Sequence, residues 1–286
     1  MLYDTPDAWL GAEHKRVALF GMSGVGKTRI SGLLRESGGW FHYSVDYRIG
    51  TRYMGERILD NVKREAMKTP FLRELLMSDS IYIASNITFA NLSPLSTYLG
   101  KPGDHARGGL DFEVYLARQR EHLAAEIAAT KDVAAFAEKA GDIYGYPHFI
   151  ADCSGSLCEV VNPEDPEDPV MQTLAATALP IWLEGTEDDV ETLAERFDQD
   201  PKPMYYEEGF LLAIWGDYLA TTGLSPSAVD PDHFIRWGFR RLLSRRLPIY
   251  AAIAARWGLT VPAAAMADIR TPHDFVTLVA DRLEAR

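Results

Sequence analysis

The sequence feature that most constrains the fold is a glycine-rich octapeptide at positions 21–28, GMSGVGKT. It matches the pattern G-x-x-x-x-G-K-[ST] at every fixed position. An apolar run at 17–20 precedes it and has the composition of a buried parallel strand, and a helical pattern follows from Thr28 to Glu36. Strand, loop and helix in this order predict an α/β fold with parallel strands.

The residue types of this loop suit the binding of a polyphosphate. Glycines allow a turn tight enough for successive N–H groups to point inward, and the amino end of the helix adds a partial positive charge. We expect the Lys27 ammonium to reach the β- and γ-phosphates and the Thr28 hydroxyl to ligate Mg²⁺. The alternative is a glycine-rich turn that only caps a helix. The expected nucleotide contacts are Gly21, Ser23, Gly24, Val25, Gly26, Lys27, Thr28 and Arg29.

The charge balance restricts the partners of the protein. Asp and Glu number 41 against 29 Lys and Arg, which gives a formal net charge of −12. Phosphate backbones are held chiefly by clustered Lys and Arg, so this balance argues against a broad nucleic-acid-binding surface, although a local basic cleft stays open. With 47% hydrophobic and 24% charged residues, the composition is that of an ordinary globular protein.

Cysteine usage and the amino-terminal sequence bear on the compartment. Two cysteines, Cys153 and Cys158, make neither a disulfide framework nor a zinc-binding set and are expected as reduced thiols. The chain has no basic start followed by an apolar stretch, and no run of about 18 apolar residues. We therefore expect a soluble, cytoplasmic protein with no membrane partner, and its oligomeric state stays open.

Two other predicted strands end in an acid. A strand over 40–46 ends at Asp46, and a strand over 148–151 is followed by Asp152. In an open parallel sheet, ligands bind beyond the carboxyl ends of the strands. Asp152 is therefore a candidate ligand of Mg²⁺ or its water, and the alternative is an acid that only forms a turn or a cap. Asp46 is a candidate base or acceptor anchor, and the alternative is a helix N-cap. Arg52, in the polar segment after Asp46, is a candidate anion ligand or a solvated side chain.

The middle of the chain looks like an addition to a smaller α/β core. Residues 93–109 are rich in proline and glycine and predict a long loop, and residues 110–140 have a helical pattern. We expect 92–146 to be a loop and helical insertion within a single domain over 1–286, with a candidate lid at 185–210. Further predicted elements are strands at 179–184 and 260–261 and helices at 187–197, 210–219, 231–243 and 272–284.

The order of these pieces resembles the shikimate kinase branch of the P-loop small-molecule kinases. The clearest match is RLPIY at 246–250, which is similar to the R-x-P-x-Y element of that family. Asp46 stands where the family has the second acid of a D-x-D element, and Gly155 stands in its substrate loop. The resemblance implies that Asp46 contacts the acceptor hydroxyl and that Arg246 binds an anionic group of the substrate.

The lid of that family has one arginine on a helix and a second before a proline. Arg196 matches the first, which implies a contact with the nucleotide base, and Lys202 stands at the second. The resemblance implies a three-layer P-loop NTPase fold of the nucleoside monophosphate kinase type, with a central parallel sheet and, in this chain, a mainly helical insertion.

The first functional hypothesis is an ATP-dependent kinase of a small hydroxylated, anionic acceptor, with ATP and Mg²⁺ as cofactors. A regulatory P-loop ATPase coupled to a protein partner, and a kinase of nucleotides or nucleic acids, stay open. A GTPase is discounted because the chain has no N-K-x-D motif. The expected catalytic residues are Lys27, Asp46, Asp152 and Lys202, the substrate residues are Asp46, Arg52, Gly155 and Arg246, and the metal ligands are Thr28 and Asp152.

Overall fold

The computed structural model describes residues 2–286, and its centre is a five-stranded β-sheet. The strands are β1 (Arg16–Phe20), β2 (Trp40–Ser44), β3 (His148–Asp152), β4 (Leu179–Glu184) and β5 (Leu259–Pro262). Their order across the sheet is β2-β3-β1-β4-β5, and every neighbouring pair runs parallel. All carboxyl ends therefore lie at one edge of the sheet, the carboxyl edge, and all amino ends at the opposite, amino edge.

Helices make up most of the remaining structure. The α-helices of the described residues are α1 (Pro6–Gly11), α2 (Lys27–Glu36), α3 (Val45–Arg48), α4 (Gly55–Ala66), α5 (Pro70–Met77), α6 (Ser93–Leu99), α7 (Phe112–Asp142), α8 (Leu157–Val160), α9 (Pro169–Thr177), α10 (Glu187–Gln199), α11 (Glu208–Thr222), α12 (Pro231–Trp257), α13 (Ala263–Ala267) and α14 (Pro272–Glu284). A π-helical turn lies at Ile49–Tyr53, and 3-10 turns lie at His105–Arg107 and Pro226–Ala228.

The strands are short apolar runs whose side chains alternate between two helical layers. On one face, Leu19 of β1 belongs to a buried cluster with Ile30 of α2 and Phe275 of α14. On the other face, the Phe20 ring lies against Tyr250 of α12, with ring centroids 6.2 Å apart. Helices on both faces of a parallel sheet are the arrangement of a three-layer α/β fold, and the predicted α/β class is confirmed.

The predicted elements agree with the structure where the sequence pattern is local, and three predictions are wrong. The second strand ends at Ser44, so Asp46 lies in the first turn of α3 and not in a strand. The predicted loop at 93–109 contains α6. Its Pro94 does not break this helix, because it stands in the first helical turn, where a backbone N–H has no partner within the helix. The helix predicted to end at residue 243 continues past Pro248, although a proline removes one helical hydrogen bond.

The chain divides into two compact units. The first comprises the chain up to Val45, Glu126–Pro201 and Arg236–Arg286, and contains the sheet. The second comprises Asp46–Ala125 and Lys202–Ile235, and its regular elements are helices.

The domain predictions for the whole chain stay predictions: a single domain over 1–286, an insertion at 92–146 and a lid at 185–210.

The length and apolar character of the helices bear on the prediction that the protein has no membrane partner. Within residues 2–286, none of them is both long enough and apolar enough to cross a bilayer.

Candidate functional site

The glycine-rich loop joins the carboxyl end of β1 to the amino end of α2. Gly24 and Gly26 have φ angles of 86° and 98°, in the left-handed region that glycine enters at little cost. Gly26 directly precedes the first turn of α2. The first N–H groups of a helix have no intrahelical acceptor, and this end of a helix carries partial positive charge. The loop therefore ends in a backbone arrangement that suits an anion.

The loop also lies where the connections of the sheet diverge. From β1 the chain leads to β2 on one side of the sheet, and from β4 it leads to β5 on the other. A Cβ atom at Gly21 would lie 2.8 Å from the Leu183 carbonyl oxygen and 3.2 Å from the Trp182 ring, so the loop packs closely on β4. In open α/β sheets, ligands bind at such a divergence, outside the carboxyl edge.

Lys27 places its ammonium group inside the loop that precedes it. The residue is 7% exposed, and its Nζ donates to the carbonyl oxygens of Gly21 and Met22, each at 2.8 Å. These two carbonyls hold the charged group at the loop, where a bound anion would be its stronger partner.

The predicted metal ligands come together although 124 positions separate them in the sequence. The Thr28 hydroxyl donates to Asp152 Oδ2 at 2.7 Å. Asp152 is the last residue of β3, in register with Leu19 of β1 and Ser44 of β2, and is 6% exposed. A hydroxyl and a carboxylate are oxygen ligands of the kind that Mg²⁺ prefers, and Mg²⁺ is usually bound by one or two carboxylates together with waters and phosphate oxygens.

No group of three or more His, Cys, Asp or Glu side chains that could hold a metal ion by itself occurs in residues 2–286. A magnesium ion here would therefore be bound by the Thr28 hydroxyl and the Asp152 carboxylate, together with waters and phosphate oxygens.

Sequence reasoning missed His42, whose side chain lies beside this pair. Its Nε2 is 3.9 Å from Asp152 Oδ2, and its side chain is 1% exposed. Burial, followed by the positive charge of Arg35, lowers the pKa of His42 to about 4, so the imidazole is neutral near pH 7 despite the carboxylate. The only available signal was its position in a predicted strand, four residues before the acid that ends it.

The turn that follows β3 touches the glycine-rich loop at Gly155. A Cβ atom there would lie 2.9 Å from the Ser23 hydroxyl oxygen, so any larger residue would force that hydroxyl to move. The Gly155 carbonyl accepts hydrogen bonds from Arg246 Nη1, at 3.1 Å, and from the Tyr250 hydroxyl. In the same turn, the Ser156 hydroxyl donates to Glu126 Oε2 at 2.6 Å.

The structure brings Gly155 and Arg246, two predicted substrate residues, together in a buried network. Arg246 is 4% exposed, and its Nε lies 3.2 Å from Oε1 of Glu159, whose side chain has no exposed surface. The other oxygen of Glu159 lies 3.3 Å from Arg245 Nε. Arg246 thus already has an internal counter-ion, and its contact with a substrate anion stays a prediction.

No family model matches this chain, and no curated protein matches its sequence.

The other predicted residues of the first unit are Arg29 and Arg196. The Arg29 guanidinium donates to the carbonyl oxygens of Met266 and Ile269, at the end of α13 and beyond it. If Arg29 contacts the nucleotide, its backbone N–H would make the contact, because its guanidinium is bonded elsewhere. Arg196 is exposed in the last turn of α10.

Asp46, Arg52 and Lys202 lie in the second unit. Asp46 is half-buried in the first turn of α3, Arg52 is exposed in the π-helical turn Ile49–Tyr53, and Lys202 is exposed directly after Pro201. Their roles in acceptor binding and catalysis stay predictions.

Proposed function

We propose that this protein is a P-loop kinase that binds ATP with Mg²⁺ and transfers the γ-phosphoryl group to a small hydroxylated, anionic acceptor. The observation that carries the proposal is the 2.7 Å hydrogen bond from the Thr28 hydroxyl to Asp152 Oδ2. It joins the start of the helix after β1 to the end of the neighbouring strand β3, and so supplies the two oxygen ligands that a P-loop and a strand-end acid provide in such enzymes.

The loop residues fit a triphosphate. The left-handed glycines turn the backbone at 24 and 26, and α2 presents its amino end there. Lys27 holds its ammonium beside these amides, where it would bind the β- and γ-phosphates. Bound Mg²⁺ would add charge neutralisation at the transferring group, and Thr28 and Asp152 would hold it there.

The acceptor side of the proposal is supported by the resemblance to the shikimate kinase branch. Asp46 follows the carboxyl end of β2 by two residues and would orient or deprotonate the acceptor hydroxyl. Arg52 would contact its anionic group, and Gly155 would lie beside it. The resemblance implies the same contact for Arg246, whose guanidinium already pairs with Glu159. Arg196 and Lys202 would offset charge at the nucleotide.

The experiment has two stages. Calorimetry with MgADP and with a hydrolysis-resistant MgATP analogue measures binding, and ATP labelled at the γ-phosphate then measures transfer into a pool of small metabolites. Binding followed by label in small molecules supports the kinase. The absence of binding by the wild type would overturn nucleotide function altogether.

The same labelling experiment separates the alternatives. Label released only as inorganic phosphate, and faster with a protein partner, would favour a regulatory ATPase, and label in RNA, DNA or nucleotides would favour a kinase of those acceptors. Asp46→Asn should remove transfer but leave nucleotide binding; if transfer persisted, the role proposed for Asp46 would be wrong.

A further inference from the structure

The turn after β3 lies against the glycine-rich loop at Gly155. The Gly155 backbone lies so close to Ser23 that a Cβ atom on Gly155 would be 2.9 Å from the Ser23 hydroxyl oxygen and 3.5 Å from its backbone nitrogen. Ser23 is one of the expected nucleotide contacts. A shift of the Gly155 backbone toward the loop would therefore press on the Ser23 hydroxyl first and then on the loop backbone.

Two side chains of α12 hold the Gly155 carbonyl. Arg246 Nη1 and the Tyr250 hydroxyl both donate to this oxygen, and they can do so because residues four apart lie on one face of a helix. Glu159 orients the guanidinium from the other side, with Oε1 at 3.2 Å from Arg246 Nε. Arg246, Tyr250 and Glu159 are all buried.

Aromatic packing fixes the Tyr250 ring at the same edge of the sheet. Its centroid is 6.3 Å from that of Trp182 on β4 and 6.2 Å from that of Phe20 on β1. Both of these residues lie at or near the carboxyl ends of their strands, where the glycine-rich loop begins. The hydroxyl that reaches Gly155 therefore has little freedom to move.

A buried ion pair is a poor device for stability, because removing both charges from water costs about as much as their attraction returns. Such a pair is better suited to fixing one geometry. Here the planar fork of Arg246 spans the Glu159 carboxylate and the Gly155 carbonyl, which a lysine ammonium cannot do in the same way.

We propose that Arg246 and Tyr250 are positioning residues: through the Gly155 carbonyl they fix the turn against Ser23 and so hold the glycine-rich loop in its nucleotide-binding conformation. This inference rests on the proposed function, since it concerns the same loop. It differs from the role implied by the family resemblance, in which Arg246 binds the substrate.

The first test compares single-donor variants with matched controls by calorimetry with MgADP. Tyr250→Phe and Arg246→Lys each remove one donor to Gly155 and should weaken binding about 3- to 10-fold, the range of one hydrogen bond. Tyr3→Phe removes a buried hydroxyl that donates to the His14 carbonyl at the amino edge, and Arg241→Lys changes an arginine that contacts its own helix at Trp237. Both controls should bind MgADP as the wild type does.

Thermal unfolding of the same variants separates positioning from stability. Tyr3→Phe and Tyr250→Phe should both lower the melting temperature, because each loses the hydrogen bonds of its hydroxyl; Tyr3 loses one to the His14 carbonyl and one from the Arg16 N–H. Only Tyr250→Phe should bind MgADP more weakly. If Tyr250→Phe and Arg246→Lys both bound MgADP as tightly as the wild type, the positioning role would be refuted. If Arg246→Lys bound MgADP normally but lost phosphoryl transfer, Arg246 would be an acceptor ligand instead.

A steric rescue provides the second test. Gly155→Ala should weaken MgADP binding about 3- to 10-fold, because the Ser23 hydroxyl must turn away from the new methyl group. Ser23→Ala in that background removes the oxygen that the methyl group meets. The double variant should then bind within about threefold of Ser23→Ala alone. No rescue would contradict the contact on which the proposal depends. A wild type that binds no nucleotide would instead overturn the proposed function itself, so the two failures are distinguishable.

Discussion

The two edges of the sheet use polar side chains in different ways. At the amino edge, Lys15 Nζ donates to the carbonyl oxygens of Leu10 and Ala12, and the Tyr3 hydroxyl donates to the His14 carbonyl. These groups complete the hydrogen bonding of nearby backbone. At the carboxyl edge, Lys27 likewise donates to backbone carbonyls, but side chains from different elements also bond to one another: Thr28 to Asp152 and Ser156 to Glu126.

The difference follows from the parallel sheet. A loop that leaves the carboxyl edge leads into the amino end of a helix, so backbone donors and positive charge collect there. A loop that enters the amino edge comes from the carboxyl end of a helix and brings carbonyl oxygens, which bind cations such as the Lys15 ammonium. Substitutions at the carboxyl edge should therefore affect ligand binding, and matched substitutions elsewhere in the same unit should not.

The largest expected effect is that of removing Lys27. Lys27→Ala should weaken MgADP binding roughly 100-fold and abolish turnover, because it removes a charged donor to the phosphates. Lys15→Ala removes an equally buried ammonium at the amino edge and should lower the melting temperature but leave binding unchanged. Calorimetry and thermal unfolding measure both. Equal binding by the two variants would contradict the functional contrast between the edges.

Asp152→Asn is expected to have the next largest effect, and one specific to the metal. The amide oxygen can still accept the Thr28 hydrogen bond, but the charge that would bind Mg²⁺ is lost. Affinity for ADP should be at least tenfold higher with Mg²⁺ than with EDTA in the wild type, and this difference should disappear in the variant. Glu138→Gln removes an exposed carboxylate near the amino edge and should keep the difference.

Two glycines at opposite ends of α2 provide a finer test. Gly26 and Gly38 have φ angles of 98° and 80°, and a Cβ atom at either would have no heavy atom within 4 Å. Alanine at each should therefore destabilise the fold by a similar amount, about 1 to 2 kcal/mol. Only Gly26→Ala should also weaken MgADP binding, by about threefold. Equal binding by both variants would show that the left-handed loop conformation does not serve a ligand.

The smallest expected effect concerns the cysteines beside the site. Burial raises the pKa of the Cys158 thiol to about 12, and Cys153 is buried as well. The native protein should therefore not react with a thiol reagent at pH 8 with or without MgADP, and should react with two equivalents after unfolding. Rapid labelling of the native protein would show that the carboxyl edge opens more readily than its packing indicates.

The predictions that succeeded depend on local patterns. Apolar runs bounded by turn residues located β1, β3 and β4, and capping and periodicity located α2 and α14. Two of the three predictions that failed were at element boundaries: Asp46 lies in a helix and not at the end of β2, and α12 continues past Pro248. The third missed α6, which begins beside Pro94 in a segment rich in proline and glycine. Packing decided those boundaries, since a helix continues where its buried face is covered.

The amino-acid sequence by itself determined the unit of strand, glycine-rich loop and helix at 16–36, because the turn needs glycines and the helix needs a periodic pattern, and both are local requirements. The sequence offered Asp152 as a candidate partner of Thr28, but only the tertiary structure decided that an acid lies at hydrogen-bond distance from that hydroxyl. It placed Asp152 there and His42 beside it, and it gave Arg246 the internal counter-ion Glu159. These contacts depend on β3 lying between β1 and β2, and the order of strands is set by packing between distant segments.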